Sequence, residues 1–88
     1  MATVVIHLVG EPDAYGPLTH QFRNYGETVF GWVNENDFGS VDIADVDRST
    51  NQFAIRNVKA SKLRRITRWV EEEAARQFLG VSTETSEP

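Results

Sequence analysis

Thr3-Val4-Val5-Ile6-His7-Leu8-Val9 is the stretch that decides the fold. These residues are mostly β-branched and are closed by Gly10-Glu11-Pro12, so they read as a strand followed by the punctuation that ends one. Side chains alternate along a strand, which puts Val4, Ile6 and Leu8 on one face and Val5, His7 and Val9 on the other. Both faces carry apolar groups, and an apolar second face asks for a cover.

Outward from this strand, residues 10–17 hold two glycines and two prolines and read as a loop. From Leu18 to about Asn34, the residues Leu18, Phe22, Tyr25, Val29 and Val33 recur at helical steps, with Pro17 where an N1 proline belongs. Gly26 and Gly31 each cost about 1 kcal/mol inside a helix, leaving room for a break near Gly26 or a short strand over Thr28–Val33. Ser40–Asp47 and Phe53–Val58 read as two strands with Val41, Ile43, Phe53 and Ile55 inward, joined by the polar connection Arg48–Gln52. A second helix follows, with Ser61 as its N-cap and a stripe of Leu63, Ile66, Val70, Ala74 and Phe78 or Gln77, ended by Gly80.

The expected order is β-α-β-β-α, an α+β two-layer sandwich in which a three-stranded antiparallel sheet carries both helices on one face. The layout is similar to a ferredoxin-like arrangement lacking its fourth strand, a likeness of fold that carries no function. It spans residues 1–80 as a single domain, and the polar, aperiodic residues 81–88 read as a disordered tail. The first strand becomes an unprotected edge, and Thr3–Val9 holds no Lys, Glu or Pro to discourage pairing. Val5 and His7 are therefore expected in a partner contact, a homodimer formed through that strand.

Of the 88 residues, 23 are Leu, Ile, Val or Phe, enough for a core. A chain this short buries only about 60 to 65% of its unfolded surface, and a large enclosed cavity would consume core it needs. That argues against an enzyme, and no cofactor is implied. The absence of cysteine excludes a disulfide framework and a thiol nucleophile and suits a reducing compartment. No run of about 18 apolar residues is present to enter a membrane, and Met1-Ala2-Thr3 lacks the basic segment of a secretory signal, so a cytoplasmic location is expected.

The chemical inventory is sparse. Asp45-x-Asp47-x-Ser49-x-Asn51 has the alternate-oxygen spacing of a calcium loop, but Thr50 stands where glycine is needed and Arg56 where the bidentate Glu belongs, so no metal site is expected. His7 and His20 have no local partner that would make a base or a metal pair. The informative feature is charge segregation. Five acids from Glu35 to Asp47 are followed by Arg56, Lys59, Lys62, Arg64, Arg65 and Arg68 without an acid between them, although the net charge is −4.

Arg64, Arg65 and Arg68 fall opposite the apolar stripe, flanked by Trp69. Cations in a first helical turn oppose the helix dipole, and Arg68 before Glu72 is the weaker order for an i,i+4 pair. Helix stability alone would have arranged these charges the other way, and such conflicts concentrate at functional surfaces. The ordinary alternative is a solvated surface balanced by Glu71–Glu73. The expected function is a small non-enzymatic protein-binding module using Arg64, Arg65, Arg68 and Trp69. The runner-up is nucleic-acid binding through Arg56, Lys59, Lys62, Arg64, Arg65 and Arg68, disfavoured by the acidic whole.

Overall fold

The computed structural model describes residues 1–10 and 16–87. Residues 11–15 of the expected loop, and Pro88, lie outside the described residues. The elements are β1 (Ala2–Leu8), α1 (Pro17–Asn36), α2 (Ile43–Arg48), β2 (Gln52–Val58), α3 (Leu63–Arg76, entered through a 3₁₀ turn at Ala60–Lys62) and β3 (Val81–Ser86). They build an α+β fold, a three-stranded antiparallel sheet of order β2-β1-β3 with helices packed against it.

β1 has the alternation read from its sequence, with Ala2, Val4, Ile6 and Leu8 buried and Thr3, Val5 and His7 half-buried. Its neighbours differ from expectation. β1 is central, pairing Val5 with Ala54 on one side and with Glu84 on the other. It is therefore not the free edge expected from the sequence, because both of its hydrogen-bonding sides are occupied and offer no open backbone for strand addition at Val5 and His7. The second side is filled by β3, the segment expected to be a disordered tail. Polar residues suffice there because an edge strand need bury little: only Val81 and Thr83 are half-buried, and their partners Leu8 and Ile6 on β1 supply the core. β2, α3 and β3 form a split β-α-β unit with β1 between its strands.

The second correction concerns Ser40–Asp47. Only Ser40 reaches β2, through a two-way backbone pair with Arg56, and Ile43–Arg48 then forms a helical turn and a half. Asp42 begins α2 by accepting the Ala44 N–H at 2.9 Å, a capping arrangement that competes with strand pairing at an Asx residue. Val41 is buried as expected, but Ile43 is exposed.

α1 is unbroken through Gly26 and Gly31. A Cβ at Gly26 would stand 2.6 Å from Val46 Cγ1 and 3.3 Å from the Phe53 ring, so this glycine lets α2 and β2 approach. Beneath α1 and α3, Phe22, Tyr25, Val29, Val33, Ile66 and Val70 close over Val4, Ile6, Phe53 and Ile55. Phe22 and Phe53 have ring centroids 5.4 Å apart. The Tyr25 hydroxyl donates to the Val70 carbonyl at 2.6 Å, tying α1 to α3.

α3 begins without help from Ser61, which lies in the 3₁₀ turn; Lys62 is the N-cap and offers no side-chain bond. The helix ends at Arg76 with Gln77 as its C-cap, and the left-handed residue that follows is Phe78 rather than Gly80. Phe78 adopts the left-handed conformation (φ 58°), and the Leu79 and Phe78 N–H groups reach the Ala74 and Ala75 carbonyls. This turn buries Leu79 and leaves Phe78, expected in the stripe, 94% exposed.

Candidate interaction site

The site is built where α1 and α3 lie side by side. Trp32 precedes Val33 on the flank of the α1 stripe, and Trp69 precedes Val70 on the flank of the α3 stripe, so each ring emerges at the seam. The rings stack with centroids 4.0 Å apart and planes within 3°, and both remain half-buried. Asp37 (φ 55°) ends α1 in a left-handed turn that brings the Phe38 N–H to the Val33 carbonyl at 3.1 Å. Folding back in this way sets the Phe38 ring edge-on to Trp32, centroids 5.1 Å apart. Arg65 and Lys62 lie over the Phe38 ring at 5.0 and 5.6 Å, cations held by the ring quadrupole.

Arg64, Arg65 and Arg68 are exposed along α3 as its periodicity requires. Arg68 donates to Glu72 at 3.0 Å, while Arg64 and Arg65 enter no ion pair among the described residues. The first turn of α3 has no acidic residue, so its positive charge is unopposed within the helix. With Trp32, Trp69, Ser61 and Glu72, the three arginines line an open cleft of about 480 Å³. Flat aromatic rings beside two guanidinium groups without an acidic partner among the described residues suit a ligand that carries carboxylates and can cover a ring.

The other sequence-marked residues are dispersed. Val5 and His7 lie on the sheet face away from α1 and α3, where His7 Nε2 is 3.4 Å from a Glu84 carboxylate oxygen across the β1–β3 pairing. Arg56 extends from β2 beside Val5 and Ala54, and Lys59 is exposed beyond the end of that strand. Of the six bases in the runner-up set, Arg64, Arg65 and Arg68 line the cleft, Lys62 lies over the neighbouring Phe38 ring, and Arg56 and Lys59 are not part of the lining. Asp45 and Asp47 fall on α2, where an i,i+2 pair points in divergent directions, and the described residues contain no cluster of metal-ligating groups. Burial, followed by Glu73 and Glu71, raises the Tyr25 phenol well above its ordinary value, which keeps it a neutral donor.

Trp32 and Phe38 were not singled out from the sequence. Helical spacing places Trp32 at the border of its stripe, but the partner of that border is set by helix packing. Comparison with protein-family models, curated proteins and solved structures finds no match to this chain. Among the described residues no helix is long and apolar enough to cross a membrane.

Proposed function

We propose that this chain is a small non-enzymatic protein-binding module, an adaptor or regulator of the cytoplasm, whose contact surface is the arginine-lined cleft over Trp32 and Trp69. The observation that carries the reading is the juxtaposition of an aromatic pair, stacked but half-exposed, with two unpaired arginines. Aromatic and arginine side chains together are the composition of interface anchors, and solvent is an unfavourable setting for tryptophan faces. The partner presents carboxylates to Arg64 and Arg65 and a flat or apolar group to the rings. Nucleic acid is the weaker candidate: the chain carries a net charge of −4, and Arg56 stands away from the cleft.

The test is cross-linked capture from the source cell, with and without nuclease, comparing the natural chain with one carrying Arg64→Glu and Arg68→Glu. The expected result is a protein partner, a second copy of the chain included, that survives nuclease and is lost with the charge reversals. Capture abolished by nuclease, or unchanged by the reversals, overturns the reading.

A further inference from the structure

Of the five α3 residues that line the cleft, Arg65, Arg68, Trp69 and Glu72 follow i, i+3, i+4, i+7 spacing and form a single stripe, with Arg64 on its flank. Their order is self-complementary. When the helix is laid antiparallel against a copy of itself, with a two-fold axis between Arg68 and Trp69, Arg65 faces Glu72 of the copy and Arg68 faces its Trp69. Symmetry makes each pairing occur twice. The outer positions then join cation to carboxylate and the inner ones join cation to aromatic ring.

We propose that the partner of the cleft is a second copy of this chain, docked through antiparallel α3 helices. The inference rests on the reading of the cleft as a protein-binding surface and names its occupant. It also accounts for the charge order that α3 alone does not explain. Arginines at the N-terminal end and Glu71–Glu73 toward the C-terminal end are ill placed for their own helix dipole. An antiparallel neighbour brings its acidic half and the negative end of its dipole alongside the basic half of the first helix. The parts of the Trp32 and Trp69 rings still open to solvent lose it in the same step.

Sedimentation equilibrium over a wide concentration range tests this with charge exchange. The natural chain is expected to pass from 9.9 kDa toward twice that mass, less readily in high salt. Arg65→Glu sets two pairs of acids face to face and Glu72→Arg two pairs of bases, so each variant alone should associate at least about tenfold more weakly, a factor that corresponds to about 1.4 kcal/mol. Mixing the two variants creates a heterodimer in which both pairs are again opposite in sign, and association should return. Circular dichroism of each variant establishes that α3 is folded. A natural chain that stays at the monomer mass overturns the proposal, as does a mixture that associates no better than its components. If such a monomeric chain still captures a foreign protein through Arg64 and Arg68, the protein-binding reading survives and only the identity of the partner falls.

Discussion

Gly26 and Gly31 lie in the same helix and look alike in sequence, yet alanine should act in opposite directions at the two positions. Removing an interior glycine from a helix is worth about 1 kcal/mol in backbone propensity. At Gly31 a Cβ would meet nothing within 4 Å, so Gly31→Ala should realise that gain. At Gly26 the same Cβ would stand 2.6 Å from Val46 Cγ1, about 1 Å inside a normal carbon–carbon contact. Val46 is fully buried and β-branched, so it has little freedom to turn aside. Overpacking of this kind costs about 1 to 3 kcal/mol, enough to cancel the propensity gain and leave Gly26→Ala destabilised by up to about 2 kcal/mol. For a domain of this size, about 1 kcal/mol moves the melting temperature by about 4 to 8 °C, so thermal and urea melts will resolve the two variants on opposite sides of the natural chain. Adding Val46→Ala to Gly26→Ala should reveal a coupling of about 1 kcal/mol, because the smaller side chain removes the clash. Equal stabilisation by both alanines would refute the close packing of α1 on α2.

Phe78→Gly should stabilise the fold by about 1 kcal/mol in urea melts, since it relieves a left-handed aromatic residue whose ring buries almost nothing; a loss of stability would mean that the ring is covered in solution. Tyr25 gives a pH dependence. Its folded pKa is raised, so the stability tied to the neutral phenol is intact below its ordinary value of 10.0 and is lost above it, as the unfolded chain ionises and the folded one resists. Tyr25→Phe should cost about 1 kcal/mol at neutral pH through the lost bond to Val70 and flatten that alkaline decline, which melts at neutral and alkaline pH will show.

Periodicity was a good guide to the fold wherever an element buries a face of its own. β1, α1 and α3 were legible because Val4-x-Ile6-x-Leu8 and the spaced apolar residues of the helices report burial directly. The segments that failed take their structure from neighbours. Val81–Ser86 has almost no apolar content and becomes a strand because β1 offers it an open side. Val41 and Ile43 mimic strand alternation, yet the Asp42 cap and the room left by Gly26 favour a short helix. The place of β1 in the sheet depended on both misread segments, which is why its residues were assigned correctly and its position was not.

The candidate site divides along the same line. The arginine ridge and Trp69 were legible because they occupy one helix, where spacing fixes the face. Trp32, Phe38 and the separation of Arg56 depend on how α1, α3 and the sheet meet, and a residue at the border of a stripe gives no sign of which border it will touch. The sequence did carry one hint of this meeting, in that Phe38 follows the end of α1 and is itself followed by Gly39. A bulky ring placed just after a helix end can fold back onto the last turns, where Trp32 already stands. Once Phe38 closes one side of Trp32 and Trp69 the other, the uncommon charge order of α3 acquires a setting. Lys62 and Arg65 rest on Phe38, Arg68 is braced by Glu72, and Arg64 is left facing solvent. Three of the four cations are thus held by a ring or by an acid of the same helix, which reduces the side-chain entropy that any contact made through them has to remove, whereas Arg64 keeps its full freedom.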